Sequence, residues 1–483
     1  MPGDDAAGTF VRVAPACRSG QAALVCGDSH LSWGDLHRQV DALALTLHHR
    51  TRPGQAIALD LRQPLQLVVA FLGVVRAGCR ALVFDPQWTA AQRQAIEQQV
   101  QIDLMLDDAG YAALEQAALC KNPSPADLPV PSAQDLFYVG FTSGSTGLPK
   151  GYRRQHASWL ASFRISDRMF DLTQEDVVMA PGSLATSLHL YGVVHALARG
   201  IPAVLVPQFR PRSVLAAMRA RNVTVCYGTP TQIRLLAQTL DRDKSPPLTA
   251  LRHLIVSGAK WPEDTREALR RHFPAARLTE FYGTSETSFV TLHSDRDRAP
   301  LGSVGRPVPG VEVCIGPTPE APVADGERGR IWVRSPLLFD GYECGGGDEI
   351  RRHGDWLTVG DHGWQDAAGH LYLVGREKRM LVSSGQNLYP EEMETWLQQM
   401  AGIEQAAVLG VQDELRGQRL VALYQTSAET ASEQLRKHCA QRYPTAQLPR
   451  AWHQVSEWPL TRSGKSDFVR LQALADQLEA AHE

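Results

Sequence analysis

No Cys-x-x-Cys pair occurs in this 483-residue chain, although it has eight cysteines. Their scatter (Cys17, Cys26, Cys79, Cys120, Cys226, Cys314, Cys344 and Cys439) speaks against zinc and dithiol redox motifs and fits reduced thiols in a cytoplasmic protein. The opening Met-Pro-Gly-Asp-Asp has no cationic region ahead of an apolar one, so export is not expected. A membrane-length apolar run is lacking as well. The greasiest segment, residues 65–84, is broken by Arg76, Gly78 and Arg80, whereas a span needs about 20 consecutive apolar residues. It reads as a buried helix followed by a strand, and no stable membrane insertion is expected. Excess charge of one sign is also missing. A net charge of −3 gives no general attraction for nucleic acid or anionic lipid, so any polyanionic ligand must be held by locally placed charge.

What is present describes a large globular protein. At 483 residues, 43% hydrophobic and 21% charged, the chain predicts two or three structural units. Short apolar runs at residues 56–61, 81–84, 203–206 and 223–227 alternate with helical patterns such as 32–48 and 90–100. That alternation predicts parallel sheets wrapped by helices. Pro/Gly-rich breaks at 122–131 and 300–309 separate groups of elements, and 310–334 alternates as small antiparallel strands do. A boundary is expected near 375–378. Beyond it, strands at 380–383, 406–411 and 420–425 and helices at 390–400 and 432–442 form a compact α+β pattern. The tail, 467–482, carries Phe468, Leu471, Leu474 and Leu478 on one helical side and predicts a packed closing helix.

The segment Phe141-Thr-Ser-Gly-Ser-Thr-Gly-Leu-Pro-Lys150-Gly151 concentrates hydroxyls, glycines and a lysine behind an apolar strand. Glycines let backbone N–H groups approach an anion, hydroxyls add donors and lysine adds charge, so this is a candidate phosphate cradle. It is not a Walker A loop, because Pro149 precedes the lysine and Gly151 follows it. Four more segments follow in order: Tyr282-Gly-Thr-Ser-Glu286; Thr358-Val-Gly-Asp361; Gly375-Arg376-Glu-Lys378 with Ser384-Gly385-Gln-Asn-Leu-Tyr-Pro390; and Pro459-Leu-Thr-Arg-Ser-Gly-Lys465. Together the five resemble the adenylate-forming superfamily of acyl-CoA synthetases, peptide-synthetase adenylation domains and luciferases, closest to acyl- or aryl-acid:CoA ligases. The resemblance spans nearly the whole chain.

The resemblance implies an α/β fold: a large N-terminal domain of helix-flanked sheets plus a small distorted barrel (1–377), and a small mobile α+β C-terminal lid (378–483) hinged near Lys378. It implies ATP, Mg²⁺ and a thiol as reactants or cofactors. Thr142, Ser143, Gly144, Ser145, Thr146, Gly147 and Lys150 would hold the β- and γ-phosphates. Thr284 would meet the α-phosphate, and Glu286 would hold the metal. Asp361 and Arg376 would take the ribose, Tyr282 with Gly283 would sit beside adenine, and Ser257, Gly258 and Ala259 would form the other wall of the purine slot. Lys465 would join the acid carboxylate to ATP when the lid is closed, and Gly385 would line the thiol tunnel after the lid swings.

For the acid, the stretch Pro181-Gly-Ser-Leu-Ala-Thr-Ser-Leu-His189-Leu-Tyr-Gly192 contains no carboxylate. An amino acid's α-ammonium would be left unpaired there, which disfavours amino acids. His189 is expected near the carboxylate, with the core-histidine alternative open, and Tyr227, Gly228, Phe281, Thr287, Val256 and Ser285 are expected on the pocket wall by the same analogy. The expected reaction forms acyl-AMP and pyrophosphate from a fatty or aryl acid and then a thioester, with CoA as acceptor. Arg153, Arg154, Arg351 and Arg352 are candidates for the CoA 3′-phosphate. Loading of a carrier protein's phosphopantetheine arm is the alternative; a luciferase-like oxygenase and a non-catalytic nucleotide-binding scaffold are the weaker ones. Monomer and homodimer both remain open.

Overall fold

Residues 65–84 fold as their apolarity dictates. Helix Pro64–Arg76 starts on a proline whose missing N–H costs nothing in the first turn, and its residues Leu67 to Val75 are all buried. Gly78 then turns the chain at φ 77 into strand Arg80–Val83. Within the helix, Gly73 admits a neighbouring helix, since a Cβ there would lie 2.8 Å from Leu43 Cδ2. The computed structural model describes residues 19–119, 128–143, 148–257, 269–297, 299–347, 350–383, 386–413, 417–427, 432–461 and 465–480. No helix among them is long and apolar enough to cross a membrane.

Two large sheets carry the N-terminal part. The first runs Gly341–Cys344, Pro149–Gln155, Leu136–Ser143, Arg80–Val83, Ala56–Asp60, Leu104–Asp107; the last four strands are parallel and the first two antiparallel. The second has nine described strands. Its parallel centre contains Val178–Met179, Val225–Gly228, His253–Val256 and Arg277–Thr284, and Ser288–Ser294 folds back antiparallel at one side. Helices cover both sheets, and one continuous apolar cluster joins their inner faces. Where the small barrel was expected, a six-stranded sheet bends around Gly329–Arg334, which pairs with Glu312–Ile315, Trp356–Thr358 and Asp361–Gln365.

The C-terminal part is built on a three-stranded sheet of Ile403–Asp413, Gly417–Thr426 and Ala451–Gln454. Its side chains obey the strand period of two. Ala406 and Val408 face a cluster with Met393, Leu397, Leu435 and Cys439 from helices Pro390–Leu397 and Ser432–Ala440. Ala407, Leu409 and Val411 face Leu471 and Ala475 of helix Phe468–Ala480. The tail is therefore a packed closing helix, with Phe468, Leu474 and Leu478 partly buried against that cluster.

Charged contacts fasten this part onto the rest. Arg328 makes a bidentate pair with Glu392, both bonds at 2.9 Å; within the larger part, Glu377 at the junction accepts from Arg330 and Arg351 at 3.0 Å each. The Tyr389 hydroxyl and His362 Nδ1 are 2.9 Å apart, and Arg234 donates to the Glu404 carbonyl. Lys378 lies in the short turn Glu377–Arg379 between the two parts.

Candidate active site

Both large sheets deliver their functional residues from the carboxyl ends of strands, the usual place for a ligand in an α/β sheet. Thr142 and Ser143 end strand Leu136–Ser143, Ser257 follows His253–Val256, and Thr284 ends Arg277–Thr284. Thr142, Lys150, Ser257, Tyr282 and Glu286 line one cleft, together with Asp361, Arg376, Lys378 and Lys465. The phosphate segment differs in one respect from the loop expected. The strand runs on to Ser143, and Lys150 lies on the returning strand Pro149–Gln155, in register opposite Thr142. Gly144, Ser145, Thr146 and Gly147 at its tip lie outside the described residues, as do Gly258, Ala259 and Gly385.

Glu286 occupies a tight turn. The Thr284 hydroxyl accepts from the N–H groups of Glu286 and Thr287, both at 3.2 Å, while Thr287 Oγ1 accepts from the Thr284 N–H at 3.0 Å. Thr284 is therefore mostly engaged in shaping its own turn, and its hydroxyl proton is what it can offer a phosphate. Thr287 is buried and serves the same turn, so it is not the pocket wall it was expected to be. Gly283 makes the turn possible: a Cβ there would lie 1.7 Å from the Ser288 carbonyl oxygen. The Glu286 carboxylate accepts from the Tyr342 hydroxyl at 2.8 Å through Oε1, and Oε2 has no hydrogen bond among the described residues. Lys150 Nζ stands 5.8 Å from the centre of the same tyrosine ring. One carboxylate with an open oxygen on the same cleft as Lys150 suits a hard divalent cation, which commonly takes one or two carboxylates together with phosphates and water.

Asp361 is buried and already engaged. Tyr282 donates its hydroxyl to Oδ2 at 2.6 Å, and Arg376 Nε lies 2.9 Å from Oδ1. Burial and the adjacent carboxylate keep the Tyr282 phenol protonated well above its ordinary range. Asp361, foremost, holds the Arg376 charge more firmly than usual. A carboxylate offers about four lone-pair sites, so Asp361 keeps capacity for further donors. Tyr282 is thus an anchor for Asp361, and any contact with adenine falls to its ring.

Lys465 reaches this group from the C-terminal part. Its backbone is set by Thr461, which accepts from the Lys465 N–H at 3.1 Å and donates its own N–H to the Lys465 carbonyl. Although the residue as a whole is exposed, its amine enters the cleft. The cleft walls withhold water and Arg376 repels the charge, against attraction by Glu286 and Asp361, so the amine is pushed down to about 8.

His189 is fully enclosed on helix Ser187–Ala198, with Nδ1 2.7 Å from the Thr186 hydroxyl. Burial pushes it down to about 4, so it is neutral at ordinary pH and can serve only as an uncharged donor or acceptor. It lines the cleft with Phe281. Tyr227 and Gly228 do not. Tyr227 is fully buried, edge-on to Phe170 and against Gly192, and belongs to the core. Gly182 fixes the His189 ring, because a Cβ on it would fall 1.9 Å from Cε1. Gly182→Ala must therefore displace the imidazole. The expected result is a KM for the acid raised on the order of tenfold or more with the KM for ATP little changed. Steady-state kinetics on the purified variant checks this.

The four arginines considered for a CoA phosphate do not form a basic surface. Arg153 pairs with Asp340 at 3.1 Å, Arg351 with Glu377, and Arg352 donates to the Phe339 carbonyl; Arg154 is buried. Tyr342 and Gly182 were not recognised as site residues in the sequence; Gly283 was expected beside adenine and Arg154 only as a candidate for the CoA phosphate. Arg154's inward position had a readable signal: in a strand, two adjacent arginines point to opposite faces.

A carboxylate-bearing turn beside a lysine hairpin, an Asp–Arg–Tyr group, and a lysine brought in by a small second domain define an adenylate-forming ligase. The chain belongs to the AMP-binding enzyme family, which matches residues 11–343, and the AMP-binding enzyme C-terminal domain matches 392–465. It is 33% identical over 460 residues to the uncharacterised acyl–CoA ligase YhfT of Bacillus subtilis (strain 168), covering 92% of this chain and 93% of that one. Its fold is similar to ATP-bound MatB from Rhodopseudomonas palustris, with a TM-score of 0.84 and 24% identity over 97% of this chain and 99% of that one. It is similar also to the O-succinylbenzoate Coenzyme A synthetase MenE of Bacillus subtilis in complex with AMP. There the TM-score is 0.80 and the identity 21%, over 93% and 95% of the two chains.

Proposed function

We propose that this enzyme activates a non-amino carboxylic acid with ATP, forming acyl-AMP and pyrophosphate, and then transfers the acyl group to the thiol of CoA. The observation that carries this reading is the meeting of Lys465 with Glu286, Asp361 and Arg376 in one cleft. Two anions must approach for the carboxylate to attack the α-phosphorus. A cation aimed between them lowers that repulsion where charge develops. In the roles assigned here, Lys150 and the hairpin hold the outer phosphates, Thr284 the α-phosphate, and Asp361 with Arg376 the ribose. Glu286 would hold Mg²⁺, which supplies charge neutralisation on the leaving pyrophosphate. Lys465 steadies the acid's carboxylate against the nucleotide. The absence of a carboxylate in 181–192 supports an acid without an α-ammonium.

The second half-reaction needs Lys465 out of the way. A lid of residues 378–483 turning at Lys378 would withdraw it and bring the 384–385 segment toward the adenylate. CoA is the acceptor that the acyl–CoA ligase relative names. A carrier protein's phosphopantetheine arm presents the same thiol, and the discriminating test is whether free CoA discharges the adenylate.

The pH profile of the first half-reaction follows from Lys465. Its amine is charged below about 8 and loses that charge as pH rises. The kcat/KM for acid-dependent pyrophosphate exchange should therefore fall above about pH 8, while bound ATP, being anionic, should move the corresponding limb of kcat to higher pH. In Lys465→Arg the limb should vanish from whatever activity remains, because arginine does not deprotonate in this range. An unchanged limb in that variant would assign the titration to another group.

A further inference from the structure

Arg154 has no use in the reaction as described, yet it is almost completely buried, at 2% exposure, and lines the cleft. It lies on strand Pro149–Gln155, two residues from the equally buried Tyr152, so both side chains point to the same inner face while Arg153 points away. Its guanidinium donates to the carbonyl of Leu337, to the carbonyl of Ser285 at 2.7 Å and to Ser288 Oγ at 2.7 Å. All three acceptors are neutral. Among the described residues no fourth acceptor meets its five N–H groups, and no carboxylate lies within ion-pair distance. Burial pushes the group down to about 10, only partly offset by Tyr152 and by the Glu286 carboxylate, which acts from beyond ion-pair distance. A buried cation is normally paired, because leaving it alone in the interior is costly.

Its surroundings are hydroxylic. The Tyr152 and Tyr138 hydroxyls are 3.0 Å apart, Tyr152 also meets Ser187 and Ser285, and the Ser187 and Ser285 hydroxyls are 3.3 Å from each other. Ser187 sits two residues before His189 on one helix, so this polar floor adjoins the half of the cleft assigned to the acid. Trp159, Tyr191 and Phe289 line the cleft near it, surfaces that suit an organic acid. The nucleotide half already has Lys150 for its outer phosphates and Arg376 for its ribose, and both line the cleft.

We propose that Arg154 is a specificity-determining residue that receives a second anionic group on the acid, a carboxylate in the simplest case, so that the preferred substrate is a dicarboxylic acid activated at one end. This rests on the acid-activating reading above. It departs from a long aliphatic substrate, whose chain would strip water from the hydroxyl floor and leave the guanidinium unanswered.

The test compares straight-chain and aryl monocarboxylic acids with dicarboxylic acids of the same length, by acid-dependent pyrophosphate–ATP exchange and by calorimetric binding of each acid. Wild type, Arg154→Gln and Arg154→Lys are used, each checked for a cooperative melt. The expected result is a wild-type kcat/KM about 100-fold or more higher for the better diacids, lost in Arg154→Gln and partly kept in Arg154→Lys, with the KM for ATP within about twofold throughout. A wild-type preference for monoacids would overturn the proposal. So would an equal loss for every acid in Arg154→Gln, which would make the residue a prop for the Ser285–Ser288 turn, or a raised KM for ATP, which would make it a phosphate ligand. If no acid supports exchange but a diacid binds wild type and not Arg154→Gln, the activation reading fails and the anion subsite stands. Diacid binding indifferent to Arg154→Gln overturns the subsite.

Discussion

Lys465→Ala should lose acid-dependent pyrophosphate–ATP exchange by about 10²–10⁴-fold while still discharging supplied acyl-AMP onto CoA at near wild-type rate. The asymmetry follows from where the lysine sits. It belongs to the small C-terminal part, and it shares a cleft with Glu286, Asp361 and Arg376 only because that part is docked as it is, through Arg328–Glu392, Tyr389–His362 and Arg234 to the Glu404 carbonyl. Removing the amine leaves the nucleotide contacts of the larger part untouched, so binding of ATP should change little. What is lost is the charge between carboxylate and α-phosphate as they approach. Separate assays of the two half-reactions make the comparison. Equal loss in both would mean that Lys465 serves throughout the cycle and that the docking seen here is not specific to activation.

Gly283→Ala should be a severely damaging substitution, since its Cβ would lie 1.7 Å from the Ser288 carbonyl oxygen. Gly283 faces the Ser288 carbonyl across a bulge in the pairing of Arg277–Thr284 with Ser288–Ser294, at a distance no Cβ can share. Backbone cannot yield as a side-chain tip can, so the turn must open. The Thr284–Thr287 hydrogen bonds then break, Glu286 leaves Tyr342, and the Arg154 contacts to Ser285 and Ser288 go with them. A destabilisation of about 1–3 kcal/mol is expected from the forced shift. Exchange activity should fall by on the order of 10²-fold or more, because the phosphate- and metal-facing groups are misplaced. Denaturant melts and exchange kinetics measure the two separately. A variant that folds and turns over normally would show that the turn's geometry is not used in catalysis.

Much of this architecture could be read from the chain because its elements are local. The alternation of short apolar runs with helical periods predicts the parallel strands Ala56–Asp60, Arg80–Val83 and Ala203–Leu205 and the helices Trp33–His48 and Ala90–Gln99. Each falls within a residue or two of expectation. The packed tail helix was likewise visible in the spacing of Phe468, Leu471, Leu474 and Leu478. The pairings within the site were not, since they join residues far apart in sequence. Tyr282 meets Asp361 across 79 positions and Glu286 meets Tyr342 across 56, and no local pattern encodes either. Tyr227 misled because the end of a parallel strand can point either into the core or into the cleft, and here the space opposite Gly192 takes the ring inward. Arg154 misled for a different reason. Paired arginines are usually solvated, and only knowing that Pro149–Gln155 is a strand, rather than the end of a loop, sends one of the two inside.

The most direct measurement is acid-dependent exchange of labelled pyrophosphate into ATP, run with Mg²⁺ across aliphatic, aryl, dicarboxylic and amino acids. The account predicts exchange with carboxylic acids that lack an α-ammonium and none with amino acids. A folded protein that binds ATP yet exchanges with no carboxylic acid, or exchanges best with an amino acid, would contradict it.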